Sequence, residues 1–144
     1  KPEKKKNRNR ATPLPQAGQP RLPVGGIIKT AYGEKDDIGA TSRGLRIESR
    51  SGSLVVAPMG GVVRFVGHFQ NYGQMVIIEH KGEYHSLIAG LGRIDAAVGQ
   101  KVSSGEPVGV LSSSSRGVSP TLYFELRHNG EPINPAKKFG GLKS

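Results

Sequence analysis

The chain has 144 residues, a formal charge of +10 at pH 7 and no Cys. That length allows one domain with a modest core, and the lack of Cys excludes a disulfide frame and any thiolate metal site. The longest apolar runs, such as Met75–Ile78, are far too short for a membrane-spanning helix.

Residues 1–23 read as a basic, Pro-rich linker that stays disordered, because Lys, Arg, Pro, Gln and Asn offer little to bury. Six Lys/Arg stand against the single acid Glu3 between Lys1 and Arg10, so this stretch holds half of the net charge. A solvated linker is preferred to a nucleic-acid arm, since no aromatic residue interleaves the charges as a stacking platform. The first residue is Lys, so the chain reads as a piece of a longer protein and decides nothing about targeting segments.

From Val24 to Ser144 the texture changes to short β-type runs divided by Gly-containing turns. The predicted strands are Gly44–Glu48, Leu54–Ala57, Val62–Gly67, Gln74–Glu79, Tyr84–Leu91, Pro107–Leu111 and Leu122–Arg127. Period two is clearest at the end, where Leu122, Phe124 and Leu126 alternate with Tyr123, Glu125 and Arg127. One set should face a core and the other a surface or groove. No stretch has the spacing of an amphipathic helix of ten or more residues. The fold class is therefore all-β, with about seven to nine strands.

Chemistry is harder to find. No G-x-S-x-G elbow or phosphate-cradling loop is present. The histidines are His68, His80, His85 and His128, and none forms an H-x-H or H-E-x-x-H arrangement. A catalytic zinc needs three converging protein ligands; these four residues are expected to be separate surface or half-buried side chains.

Five segments, in order, resemble the LytM (lysostaphin-type) metallopeptidase domain from about Gly33 to Phe139. They are ATSRGLRIES, SGSLVVAPMGGVVRFVG, NYGQMVIIEHKGEYHSLIAGL, VGQKVSSGEPVGVLSSSS and SPTLYFELRHNGEPINP. The resemblance implies an antiparallel β-sheet domain with a groove. It also marks what is missing. The family's His-x-G-x-Asp is Ser42-Arg43-Gly44-Leu45-Arg46 here, its A-H-L is Ala89-Gly90-Leu91, and its H-L-H is Thr121-Leu122-Tyr123. The ligand and catalytic positions thus hold Ser42, Arg46, Gly90, Thr121 and Tyr123. No metal, no other cofactor and no hydrolysis are expected.

Loss of every ligand resembles the EnvC-type murein hydrolase activators. That resemblance implies a protein of the Gram-negative periplasm that binds a zinc-dependent N-acetylmuramoyl-L-alanine amidase, displaces its inhibitory helix and promotes septal peptidoglycan cleavage during division. The expected contact residues line the old metal groove: Arg43, Arg46, Tyr72, His85, Ile88, Tyr123 and Arg127. Tyr and Arg are enriched among binding hot spots. Peptidoglycan is a further expected contact, while nucleic acid and membrane insertion are not. The competing readings are a peptidoglycan-binding module without a protein partner and a zinc endopeptidase with an atypical site. A lipoyl-type carrier is disfavoured, because Lys81 lies between His80 and Gly82 and lacks the flanks of a modifiable Lys.

Overall fold

Ten antiparallel strands and one 3-10 turn form the regular structure of this computed structural model, which describes residues 19–70, 73–113 and 117–139. In chain order the strands are β1 Ile27–Thr30, β2 Leu45–Glu48, β3 Leu54–Val56, β4 Gly61–His68 and β5 Gln74–His80. They continue with β6 Tyr84–Ile94, β7 Lys101–Val102, β8 Pro107–Leu111, β9 Thr121–His128 and β10 Glu131–Ile133. The main path runs β1-β2-β9-β6-β5-β4-β7; β3 and β8 form a ribbon that joins β6, and β10 pairs with β9. The expected antiparallel β-sheet domain is the fold observed. No helix among the described residues is long and apolar enough to cross a membrane.

All seven predicted segments became strands. The three additional ones, β1, β7 and β10, have four, two and three residues. β6 runs three residues past its expected end at Leu91. Beyond that point it exchanges partners, pairing Leu91, Arg93 and Ile94 with Leu111, Val110 and Gly109 of β8.

The core lies on one side of the main sheet. Leu45 and Ile47 of β2, Val76 and Ile78 of β5, Ile88 of β6, and Leu122, Phe124 and Leu126 of β9 are all fully or almost fully buried. Each such side chain stabilises the fold by about 1.5–3 kcal/mol relative to exposure. Phe124 meets Phe139 edge-on, with centroids 5.8 Å apart. Packing also reaches back before Val24: Leu22 lies against the core, Arg21 N donates to Pro58 O at 2.9 Å, and Val56 N donates to Pro23 O at 2.8 Å.

His80 is a core histidine. It is buried, with Nδ1 2.8 Å from Gly60 O and Nε2 2.7 Å from Ser86 Oγ. A carbonyl only accepts, so Nδ1 carries the proton and Nε2 accepts from the Ser86 hydroxyl. Burial is the main cause that lowers its pKa from the usual 6.5; the Gly60 bond opposes this and His85 adds to it. The sign follows from proton uptake: below pH 6.5 the unfolded chain takes a proton that the folded chain resists. Stability is therefore full above that pH, and falls as pH drops toward the lowered value. Urea midpoints should decline between about pH 7 and pH 5 in wild type and decline less in His80→Gln. Equal declines in the two proteins would remove His80 as the cause.

Candidate binding groove

Because Leu122, Phe124 and Leu126 point into the core, the pleat sends Tyr123, Glu125 and Arg127 to the opposite face. Strand register then assembles rows across that face. Arg46 of β2 lies opposite Tyr123, followed by Ala89 of β6, Met75 of β5 and Gly67 of β4. The next row is Glu125, Leu87, Ile77 and Phe65; the third is Arg127, His85 and Glu79. Met75 and Ala89 are 3% and 1% exposed although they face away from the core cluster, so neighbouring segments stand over this end of the face.

The β2–β9 side is a linked polar array. The Arg46 guanidinium carbon sits 5.0 Å from the Tyr123 ring centroid, a cation–π distance. Tyr123 Oη donates to Glu125 Oε2 at 3.3 Å, and Arg127 Nε and Nη2 donate to Glu125 Oε1 at 3.2 and 3.1 Å. Glu125 is only 4% exposed; without these three donors its carboxylate would be a costly buried charge. The opposite side of the face is apolar, with Leu87 and Ile77 half-buried and Phe65 at 36% exposure. Gly44 is required beside this array: a Cβ there would strike the Phe124 carbonyl and lie 3.1 Å from Tyr123 Cζ.

The expected contact residues divide. Arg46, Tyr123, Arg127 and His85 share the face by register, and Arg43 is exposed in the turn entering β2. Ile88 does not belong there: it is fully buried in the core. It lies an odd number of residues from His85, so the pleat turns it inward, and the β6 residues on this face are Leu87 and Ala89. Tyr72 lies outside the described residues. Glu125 was not among the expected contacts, although its place between Tyr123 and Arg127 in the period-two set was visible.

The former ligand positions do not fit zinc. Ser42 Oγ is spent on the local turn, donating to Gly44 O at 2.7 Å. Position 46 carries a cation, position 90 has no side chain, and Thr121 and Tyr123 supply neither imidazole nor carboxylate. Among the described residues no three His, Cys, Asp or Glu side chains gather as a metal site. Gly90 is a bulge residue with φ +105°, and a Cβ on it would lie 3.0 Å from Thr121 O.

An all-antiparallel sheet with these motif positions is the scaffold of a metallopeptidase-type domain. Residues 40–135 match the model of Peptidase family M23, and the chain belongs to that family. It is 32% identical over 123 residues to the murein hydrolase activator EnvC of Escherichia coli, covering 85% of this chain and 29% of EnvC. It is 36% identical over 92 residues to the DD-carboxypeptidase/endopeptidase Mpg of Neisseria meningitidis, covering 64% of this chain and 21% of Mpg. The chain thus spans less than a third of these curated relatives. Among solved structures, Helicobacter pylori Csd3 superposes with a TM-score of 0.73 at 26% identity, over 88% of this chain and 36% of Csd3.

Proposed function

We propose that this domain is a non-catalytic murein hydrolase activator that acts in the periplasm of a Gram-negative bacterium. Its outer-face groove binds an N-acetylmuramoyl-L-alanine amidase, relieves that enzyme's autoinhibition and so promotes septal peptidoglycan cleavage. The carrying observation is the Arg46–Tyr123–Glu125–Arg127 array at the old metal position. Arg46 and Tyr123, of residue types that suit protein recognition, occupy two positions where the family carries metal donors. The similarity to EnvC supports the same reading.

The face suits an amphipathic partner segment: Leu87, Ile77 and Phe65 offer apolar contact, and Arg46 and Arg127 offer charge beside it. Activation further requires that the domain bind the open amidase more tightly than the closed one, since equal affinity shifts no equilibrium.

Release of dye-labelled peptidoglycan tests this. Release by the mixture of domain and amidase, with neither active alone, is the expected result. Release by the domain alone that stops with a chelator would overturn the non-catalytic reading, and no gain in the mixture with any periplasmic amidase would overturn activation.

A further inference from the structure

Apart from the Tyr123 face, a concavity lies at the turn between β5 and β6 and wraps the β4–β7 edge of the sheet. Its volume is about 960 Å³. Glu79, where it meets the groove face, is four residues along β5 from Met75 of the Tyr123 row, or about 13 Å at strand rise. The floor is apolar, built from Met59, Val62 and Val102, with the hydrogen-bonded His80 beneath. The rim is cationic. Lys81, Lys101 and Lys138 stand on it, with Arg64 close by.

These cations are not equivalent. Arg64 is held by Glu79, Nε to Oε1 at 2.6 Å, and so is already engaged. Lys138 Nζ is fixed 4.5 Å from the Tyr84 ring centroid, and Tyr84 stacks on His128 at 4.1 Å. Lys81 and Lys101 are exposed and pair with no carboxylate among the described residues. The one remaining acid of the lining, Glu83, occupies the left-handed region at φ +67°, a strained conformation for a residue with a side chain. Residues 11–19, which lead into Pro20, hold no acid, and residues 1–10 hold six Lys/Arg against Glu3, so that part of the chain offers no carboxylate run to complement this rim.

We propose that this cleft is an anionic-peptide site, taking an extended peptide whose separate carboxylates reach Lys81, Lys101 and Lys138 while small aliphatic groups lie on the floor. Separate ammonium groups act as point charges and suit several spaced carboxylates. Arg64, the Arg of the lining, gives its Nε to Glu79, and the carboxylate beside that guanidinium disfavours a compact phosphate there. The site is independent of the amidase reading.

The test is calorimetric and NMR titration of the full chain with a capped peptide of alternating Glu and Ala. The Gln-Ala peptide and inorganic phosphate serve as controls. Saturable binding of the Glu-Ala peptide alone is expected, with amide shifts at Gly60, Gly82 and Lys101. Lys81→Glu with Lys101→Glu should weaken it at least about tenfold, because like charges now face the ligand. Lys81→Gln with Lys101→Gln should weaken it less, and Arg46→Ala should leave it unchanged. Equal binding of the Gln-Ala peptide, undiminished affinity in the charge-reversed variant, or shifts confined to the Tyr123 row would each overturn the site. Purified peptidoglycan stem peptides form a last arm. Competition by them makes the wall the source of the ligand; lack of competition, with Glu-Ala bound, makes it an acidic protein segment. No amidase is present, so failure here leaves the activation assay untouched.

Discussion

Tyr123→Ala and Arg46→Glu are each expected to lower amidase activation at least about tenfold, the loss of one hot-spot contact. Tyr123 is half-buried, carries Arg46 on its ring and reaches Glu125 through its hydroxyl. Removing the ring deletes area on the proposed contact face and frees Arg46 from the position it holds over that ring. Reversing Arg46 keeps the ring, inverts the charge and removes the cation–π contact. Tyr123→Phe separates the two roles, since it retains the ring beneath Arg46 and removes the hydroxyl that reaches Glu125. Arg127→Glu is a poorer probe: Glu125 is 4% exposed, and a second acid in place of its counterion destabilises the sheet whatever the partner does. The measurement is dye release at fixed amidase, with thermal unfolding as a fold control and Arg93→Ala, on a cation held by Asp95, as a surface control. Wild-type activation by both Arg46→Glu and Tyr123→Ala would sink the site assignment.

Phe124→Ala should have the largest effect on stability, a loss of about 3–5 kcal/mol. Phe124 is fully buried, pairs with Leu45 on one side and Ile88 on the other, and meets Phe139 edge-on. β9 is tied to three other strands, so a cavity there cannot close by moving one edge. Domains of this kind have only about 5–15 kcal/mol to lose, and the variant should unfold at much lower urea with an unchanged slope. A loss below about 1.5 kcal/mol would mean that the core collapses onto the vacated space and that Phe124 is not its centre. Phe124→Leu, which keeps most of the volume, should fall between the two.

The period of β9 was legible because six residues alternate without a break, and it carried the fold and half of the groove with it. The odd spacing of His85 and Ile88 showed that one of them had to leave the face. Which one turns inward was not legible, because it depends on the pairing of β6 with β9, in which Ala89 and not Ile88 stands opposite Tyr123, and a bulge at Gly90 alters the pleat just beyond. Glu125 was hidden for another reason: an acid in an alternating strand looks like a solvated residue until its three donors are placed around it. The contribution of Leu22 and Arg21 was masked by their basic, Pro-rich surroundings, since composition says nothing about two residues that happen to reach a core edge.

The bulge at Gly90 bears on which side chains this domain could accept. A histidine there would have to adopt φ near +105° with its Cβ 3.0 Å from a carbonyl oxygen, a conformation that residues with side chains rarely hold. Replacing Ser42, Arg46, Thr121 and Tyr123 with metal-binding or catalytic side chains would therefore leave the fifth position shut until the strand itself was re-laid. Side-chain exchange alone thus could not build that set of groups here: the main chain works like a ratchet that holds position 90 closed.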